Sequence, residues 1–333
     1  MTSPLAEPTP RATATRPEPA VFCAATELGL LAFTGPDAES FLQGQLSSDL
    51  TALVPGSAQW SSYNSPKGRM LATLLLWREG PESIRALVAA DLAEPLRKRF
   101  AMYVLRSKLT VTNLSLAHTL FGIGGASAKD LVQSAIGRAP DRGQALVAES
   151  GTLVGFPDGR IVGIAPAAAD DAIATQLAAR ASAIGTEAWR LLGIHAGVPT
   201  IHVATQDQFV LQTANWDLLG GVSFQKGCYP GQEIVARTQY LGRLKERMHL
   251  FHVNGEAPAA ATRIYGDIFG DQACGTVVDA APAPEGGADL LAVVQLSALD
   301  GPLRLGTRDG PALALMPLPY SIPASVPASR PKL

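Results

Sequence analysis

The sequence predicts an α+β fold that ends in a small β-barrel. Between residues 21 and 244, short apolar runs typical of strands alternate with amphipathic runs of helical spacing. Turn-forming residues separate neighbouring strand candidates, which favours antiparallel pairing. After about Leu244 the helical spacing ends, and short apolar runs are divided by segments rich in Gly, Pro and Asp, such as 280–287.

The first α+β unit is predicted over residues 21–115. A helix is expected to begin at Gly35-Pro36-Asp37, because proline fits the first helical turn and acidic residues favour that end. Four residues then follow the spacing of one helix face: Ala38, Phe41, Leu42 and Gln45. Gln45 lies either at the edge of the core or against a polar cavity. The other elements predicted in this unit are strands over 28–33, 59–63, 70–77, 84–89 and 108–113 and a helix over 92–103.

A second α+β unit is predicted over residues 116–184, in an element order close to that of a ferredoxin-like domain. Its elements are strands over 120–123, 153–156 and 159–164 and helices over 128–136 and 167–182. Residues 185–244 return to the first unit and begin with a helix that Thr186 can cap and that ends near His195. The barrel is predicted over 245–320, with strands over 248–253, 275–279, 290–296 and 312–316.

Composition limits the function classes. Apolar residues make up 47% of the chain, charged residues 17%, and the net charge is −2, so a basic surface that binds nucleic acid directly is not expected. The longest apolar run, residues 70–77, is too short to cross a bilayer, so no membrane partner is expected. Disordered tails are predicted over 1–20 and 321–333, and the first has no apolar segment of a secretory signal.

The chain has three cysteines, Cys23, Cys228 and Cys274, which are far apart and form no C-x-x-C pair. Neither a disulfide scaffold nor a metal site is therefore expected, and the cysteine content suits a reducing cytoplasm. Cytoplasmic localisation is the corresponding prediction.

Chemically active side chains are concentrated in residues 224–238, FQKGCYPGQEIVART. Pro230 fits the first turn of a helix predicted from about Gly231. Cys228 then precedes a helix N-terminus and lies two residues from Lys226, and both features favour its thiolate. The alternative is that Cys228 is a small buried hydrophobic residue.

Glu233 and Arg237 are four residues apart on the same predicted helix, so they can pair on one of its faces. The pair is then either part of a site or an ordinary surface ion pair that adds only tenths of a kcal/mol.

The string KGCYPGQE resembles the K-G-C-Y-x-G-Q-E motif of YgfZ-type folate-binding proteins, a branch of the glycine-cleavage T-protein superfamily with its aminomethyltransferases. Five further stretches are similar to that family: 35–49, 65–69, 103–108, 219–224 and 317–320. The resemblance covers about residues 25–320 and implies three lobes around a channel that holds tetrahydrofolate or a one-carbon derivative. Two positions depart from the family: Pro230, and Leu28 where some relatives carry tryptophan.

The resemblance also implies site residues. Trp189 corresponds to a position of folate contact, and an indole suits a flat pterin, although a core tryptophan is the competing interpretation. Lys67, Lys226 and Arg237 suit the glutamate carboxylates of folate. The remaining residues assigned to cofactor binding are Gln45, Tyr229, Gln232 and Glu233, whereas Cys228 and Lys226 are assigned to the chemistry.

The resemblance implies an accessory protein for the assembly or repair of iron–sulfur enzymes. Its expected partners are such enzymes or assembly proteins, among them a tRNA-thiolating radical enzyme, through which it would support tRNA modification. Aminomethyltransferases carry paired aspartates where this chain has Ala72 and Thr73, neither of which can act as a carboxylate base. This difference argues against a standard aminomethyltransferase.

Two alternatives remain at this point. The first is a folate-dependent aminomethyltransferase or demethylase-type one-carbon enzyme, which predicts a carboxylate in the central channel. The second is a binding module in which Cys228 is structural.

Overall fold

The computed structural model describes residues 19–167, 172–240 and 244–323. Three sheets organise this part of the chain. The disordered tails predicted over 1–20 and 321–333 lie outside the described residues, apart from 19–20 and 321–323. Residues 168–171 of the helix predicted over 167–182 also lie outside the described residues.

The chain begins with β1 (Val21–Ala24), a strand of the second sheet. The first sheet is built from the strands that come next. It contains β2 (Leu28–Thr34), β3 (Ala58–Asn64), β4 (Met70–Gly80), β5 (Ser83–Ala89) and β6 (Thr110–Asn113). The strands are antiparallel throughout, in the order β3-β4-β5-β2-β6. The first eight residues of β4 are all buried, which explains its nearly continuous apolar sequence.

Two helices accompany the first sheet, α1 (Ala38–Gln43) and α2 (Ala90–Val104). α2 buries Phe100, whose ring centroid lies 5.2 Å from that of Phe33 and 4.6 Å from that of Tyr63. Because α1 ends at Gln43, Gln45 lies in the following turn, where it is half-buried. Its assignment to the helix face is therefore wrong.

The second sheet has the strand order β11-β1-β7-β10-β9-β8. Its elements after β1 are β7 (His118–Gly124), α3 (Ala128–Ile136), β8 (Ala145–Ala148), β9 (Gly151–Gly155), β10 (Ile161–Pro166), α4 (Ala172–Ala178) and β11 (Ser182–Ala183). The β-α-β-β-α-β series of a ferredoxin-like domain is present as β7-α3-β9-β10-α4-β11, and β1 and β8 are added to it.

The position of β1 departs from the predicted domain limits, which placed residues 21–24 with the first unit. β1 pairs antiparallel with β7 and parallel with β11. The Phe22 ring stacks on that of Phe121 at 5.5 Å, and Cys23 is buried. The sequence of a four-residue strand does not show which sheet it will join. Because β1 packs on the second sheet and β2 on the first, the β1–β2 turn lies between the two units.

Two helices follow, α5 (Thr186–His195) and α6 (Gln232–Tyr240). α5 was predicted to belong to the first unit, but it packs mainly against residues 273–282 of the last unit and also against β1 and β7. α5 begins where predicted, but Gly185 rather than Thr186 occupies its N-cap position. Gly197, with φ of +67°, follows its end. The long segment between the helices adds to the first sheet at Met70, which exchanges backbone hydrogen bonds with Asp207 and Phe209.

The last unit is a closed barrel with the strand order β12-β15-β14-β13-β16-β17. Its strands are β12 (Glu246–Val253), β13 (Arg263–Gly266), β14 (Ala273–Pro282), β15 (Ala288–Gln295), β16 (Leu303–Leu305) and β17 (Ala312–Met316). The predicted α+β fold with a C-terminal barrel is thus confirmed. The short β13 and β16 were not predicted, since three or four residues show no clear alternation.

Candidate functional site

A cleft lies where the three units meet. Its free volume is about 50 Å³, enough for a few water molecules, so a larger ligand would enter only if side chains of the wall moved. The β1–β2 turn, the first sheet, the β9–β10 turn, α5 and β14 all contribute to its walls. The wall residues considered below are Glu27, Leu28, Thr73, Phe156, Arg160, Trp189, Arg190, His202 and Asp279.

Trp189 reaches this cleft but is 1% exposed. A Cβ atom on Gly122 would approach the six-membered indole ring to 2.8 Å, so only glycine allows this packing. The guanidinium of Arg160 lies over the indole at 5.0 Å from its centroid. The predicted stacking face is therefore occupied by Arg160, and a flat ligand would stack there only if Arg160 moved.

Arg160 is fixed in this position by several neighbours. Its Nε and Nη2 atoms donate to Asp158 Oδ2 at 3.0 and 2.7 Å, and its guanidinium also lies 5.0 Å from the Phe156 ring centroid. Paired and stacked in this way, Arg160 closes one wall of the cleft.

Glu27 lies in the turn between β1 and β2 and brings a carboxylate to the cleft. Both of its carboxyl oxygens are buried, and neither has a hydrogen-bond partner on another residue. Burial raises the pKa of Glu27, and the charges of Arg160 and Arg190 only partly oppose this effect. Such an orphaned acceptor in a cleft is typical of a ligand-binding group.

Arg190, next to Trp189 on α5, brings an unsatisfied donor to the same cleft. Its Nε is buried without a hydrogen bond, and Asp279 Oδ1 is 3.9 Å away. Sequence reasoning missed Glu27 and Arg190. Their only signal was adjacency to Leu28 and Trp189, which the resemblance had singled out.

His202 links two carboxylates at the edge of the cleft. Its Nδ1 is 3.4 Å from Asp91 Oδ1, and its Nε2 is 3.9 Å from Asp279 Oδ2. Burial lowers the pKa of His202, but Asp279 and Asp91 outweigh burial, so that the pKa is raised overall.

Ala72 and Thr73 are the residues that the sequence resemblance sets against the paired aspartates of aminomethyltransferases. Thr73 lines the cleft, and its hydroxyl accepts the Ile201 N–H at 3.3 Å. Carboxylates nevertheless enter the cleft from other elements, at Glu27 and Asp279. The lack of an acidic pair on β4 therefore does not leave the cleft without a carboxylate.

The KGCYPGQE segment lies elsewhere and is organised around a buried lysine. The Lys226 ammonium donates to the backbone oxygens of Gln43, Leu46 and Ser48 at 2.7, 2.7 and 2.9 Å. Burial lowers the pKa of Lys226 to about 8. Because its donors are already used, Lys226 is a structural tie rather than a free ligand for folate carboxylates, and this corrects its assignment.

Two further motif residues support this tie. Lys226 Nζ lies 5.3 Å from the Tyr229 ring centroid, and Tyr229 is buried. Gln232 donates to the Lys226 carbonyl at 3.3 Å, which closes the loop before α6. Tyr229 and Gln232 thus contact the motif itself, and neither lines the cleft in the described part of the chain.

Cys228 is exposed, as an accessible thiol requires. It is not among the described residues that line the cleft at Trp189, and neither are Lys67, Gln45, Glu233 or Arg237. The structure therefore does not bring Cys228 and Trp189 into one cavity.

Glu233 and Arg237 are both exposed on α6. Within the ranges the structure describes, no ion pair joins them. The predicted pair does not form, in keeping with the low value of such a contact between two hydrated side chains.

The motif does meet the hairpin between β3 and β4. Gly231 has φ of +80°, and a Cβ atom on it would lie 2.5 Å from the Gly68 Cα and from the Ser65 oxygen. Gly68 has φ of +71°. The stretches 65–69 and 226–233, which the sequence offered as separate signatures, thus form one backbone contact, and each needs its glycine.

The three cysteines are expected to differ in alkylation. Burial raises the pKa of Cys23 to about 12 and also raises that of Cys274, whereas Cys228 is exposed. Iodoacetamide at pH 7 should modify one thiol of the folded protein, as counted by mass spectrometry. The Cys228→Ala variant should remain unmodified until it is unfolded, and labelling of this variant in its folded form would contradict the prediction.

Glu27→Gln is expected to stabilise the free protein by about 1 kcal/mol at pH 7, because it removes an unpaired buried carboxylate. The raised pKa of Glu27 means that the native carboxyl holds its proton to higher pH than the unfolded one. Wild-type stability is therefore lost as pH rises from about 4.5 through the native pKa. Urea unfolding at pH 4 and pH 7 should show the gain only at pH 7, and an equal gain at both would refute this cause.

No helix within residues 19–167, 172–240 and 244–323 is long and apolar enough to cross a membrane. In the same ranges, no group of three or more His, Cys, Asp or Glu side chains converges as ligands for a metal ion.

Comparison with known proteins shows which fold this architecture is. The chain is similar to the structure of glycine cleavage system aminomethyltransferase T from Bartonella henselae, with a TM-score of 0.74 and 17% identity over 90% of this chain and 86% of that one. No family model matches the chain. The protein thus has the glycine-cleavage T-protein fold, around a cleft with an indole edge and unpaired polar groups.

Curated relatives identify the branch. The chain is 31% identical over 300 residues to the tRNA-modifying protein YgfZ of Serratia proteamaculans (strain 568), covering 88% of this chain and 90% of the relative. It is 32% identical over 303 residues to the protein of the same name from Photorhabdus laumondii subsp. laumondii, with the same coverage. The chain therefore belongs to the YgfZ family.

Proposed function

We propose that this protein binds a tetrahydrofolate in its central cleft and acts as an accessory factor for the assembly or repair of iron–sulfur enzymes. In this role it would support tRNA modification, the process named in its curated relatives. The observation that carries the proposal is the cleft itself, where an indole edge, apolar walls and unsatisfied polar groups meet at the junction of three units.

The side chains of the cleft have the chemistry that a folate needs, and the folate would enter once side chains of the wall, Arg160 among them, move apart. Leu28 and Trp189 supply apolar wall, and Glu27 and Arg190 supply an acceptor and a donor that have no hydrogen-bond partners. Bound tetrahydrofolate would supply a carrier for one-carbon units. The pairing of Lys67 and Arg237 with the glutamate carboxylates of folate stays a prediction, since neither residue is among the described residues that line the cleft.

Cys228 is proposed to act toward a partner protein rather than in the cleft. Its thiol is exposed, while Lys226 and Gln232 fix the backbone around it. An exposed cysteine beside such an anchored backbone can meet an iron–sulfur client at a protein interface. One thiolate holds no cluster alone, so the remaining ligands would come from the client or from another copy of this chain.

Complementation tests this function. A strain that lacks its own family member would receive wild type, Cys228→Ala, Trp189→Phe or the control Cys274→Ala, and thiomethylated tRNA bases would be measured at matched protein levels. Wild type and Cys274→Ala are expected to restore thiomethylation, and Cys228→Ala is expected to fail. Full restoration by Cys228→Ala would refute the functional thiol.

Folate binding is measured separately, by equilibrium dialysis of the purified chain with 5-formyltetrahydrofolate as a stable probe. Absence of saturable binding would refute the cofactor proposal whatever the complementation result. Trp189→Phe keeps an aromatic ring in the core and leaves a small cavity, so a weaker affinity in a variant shown to be folded would reflect the lost indole edge.

A second candidate, a folate-dependent one-carbon enzyme, is favoured by Glu27 and Asp279 in the cleft. Such an enzyme would transfer a one-carbon unit from an aminomethyl donor to tetrahydrofolate with release of ammonia. Ammonia released on incubation with donor and tetrahydrofolate, and lost in Asp279→Asn, would support it. No release above a protein-free control would exclude it for that donor.

A further inference from the structure

We infer that the C-terminal end of α2 and the turn after it form a docking surface for a partner protein, which meets it with an acidic face around an apolar depression. This α2 surface comprises Arg99, Met102, Tyr103, Leu105, Arg106 and Lys108. The inference rests on the proposed function and adds to it the place where a client protein binds.

The α2 surface belongs to a segment that is basic although the chain as a whole is not. Residues 97–108 contain five of the 27 Lys and Arg residues and none of the 29 Asp and Glu residues. Within residues 19–167, 172–240 and 244–323, no ion pair holds Arg99, Arg106 or Lys108. An acidic partner would therefore find cations that are free to pair with it.

Local features account for part of this charge. Arg97, in the same segment, pairs with Glu94 at 2.8 Å, and the Asp37 carboxylate accepts the backbone N–H of Lys108 at 2.6 Å. Cations just after a helix also complement the negative end of its dipole, and Arg106 and Lys108 follow α2 in this way. None of these features explains why apolar side chains are exposed at the same place.

Large apolar side chains are exposed among these cations. Met102 is 66% exposed, Tyr103 48% and Leu105 88%. Met102 and Tyr103 lie three and four residues after Arg99 on α2, so these three side chains share one face of the helix. Tyrosine, methionine and arginine are enriched in protein interfaces. Surfaces that bind single-stranded RNA rely on cations and aromatic rings, so the exposed methionine and leucine favour a protein partner.

Leu105 is held in a strained conformation. It occupies the C-cap position of α2 with φ of +39°, in the region that favours glycine at helix ends. Its side chain gains little from burial in return, because most of it is exposed to solvent. Backbone strain at an exposed apolar residue is typical of a binding site, where the partner supplies the missing contacts.

The α2 surface borders the hairpin that contacts the KGCYPGQE motif. Arg99 Nε donates to the Tyr63 hydroxyl at 3.1 Å, and Tyr63 lies near the end of β3, just before this hairpin. The hairpin exposes Lys67 and meets the motif at Gly231. A stable interface covers about 800 Å² on each partner. A partner on the α2 surface would therefore extend over the hairpin toward Cys228.

The test measures binding by biolayer interferometry, with the purified iron–sulfur enzyme that thiomethylates tRNA in the complementation strain as the probe. Leu105→Asp and Arg106→Glu are each expected to weaken its binding at least tenfold. The matched controls are Leu116→Asp, at a leucine that is 98% exposed beyond β6, and Lys245→Glu, at an exposed lysine just before β12. Both controls should bind the probe as wild type does.

Leu105→Gly separates partner binding from stability. Glycine adopts a positive φ without strain, so the variant should melt no lower than wild type in thermal unfolding. It should nevertheless bind the probe at least tenfold more weakly, because the exposed apolar side chain is lost. A variant that melts lower and binds normally would show that Leu105 serves the fold, and would overturn the inference.

Normal binding by Leu105→Asp and Arg106→Glu, or no binding of the probe by wild type, would also overturn the inference. If complementation by wild type succeeds in that case, the accessory function stands without this surface. Failure of wild type to complement would refute the proposed function, while probe binding lost in Leu105→Asp would still support the surface. An unmodified tRNA transcript is the second probe, and its binding in place of the enzyme would replace the protein partner by RNA.

Discussion

Lys226→Met is expected to lower the free energy of unfolding by about 2–4 kcal/mol. The substitution keeps the length of the side chain but removes the donor that binds the backbone oxygens of Gln43, Leu46 and Ser48. Methionine avoids the cost of burying an ammonium, which the lowered pKa of Lys226 reflects. Three carbonyls left without this donor outweigh that gain, because each buried unsatisfied group costs about 1–3 kcal/mol.

Urea unfolding at pH 7 measures the effect, with Lys98→Met as the matched control because Lys98 is exposed on α2. The control should change stability by less than about 0.5 kcal/mol. If both variants unfold at the same urea concentration, Lys226 is not the structural tie that its contacts indicate. The reactive role that the sequence predicted for Lys226 would then again be the better explanation.

The fold was predictable because its signals are local. The apolar runs of β4 and β5, the spacing of α2 and the loss of helical spacing after residue 244 are all visible within windows of a few residues. What escaped were short elements whose existence depends on partners, such as β1, β13 and β16. Pairing across distant parts of the chain leaves no periodic trace in so few residues.

The candidate site was predictable only in part, for the same reason. The motif around Cys228 was recognised from adjacent residues, but the cleft is assembled from elements that lie far apart in the sequence. Glu27 and Arg190 matter because burial leaves their polar atoms unpaired, a property that exists only after folding. Lys226 was misassigned because three carbonyl acceptors have no sequence signature.

Gly231→Ala is expected to lower the free energy of unfolding by about 3 kcal/mol. A φ of +80° costs alanine about 1 kcal/mol, and the added Cβ would lie 2.5 Å from the backbone of Gly68 and Ser65. Backbone atoms on both sides cannot rotate away as a side chain can, so the overlap forces a shift costing about 1–3 kcal/mol more.

Gly137→Ala separates these two causes, because Gly137 has φ of +83° but nothing within 4 Å of the added Cβ. It should cost only the backbone term of about 1 kcal/mol. In Gly231→Ala the hairpin and the motif must also move apart, so alkylation of the exposed Cys228 should change its rate in this variant alone. Equal losses of stability in the two variants would mean that residues 65–68 yield easily, and that the contact does not hold the thiol in place.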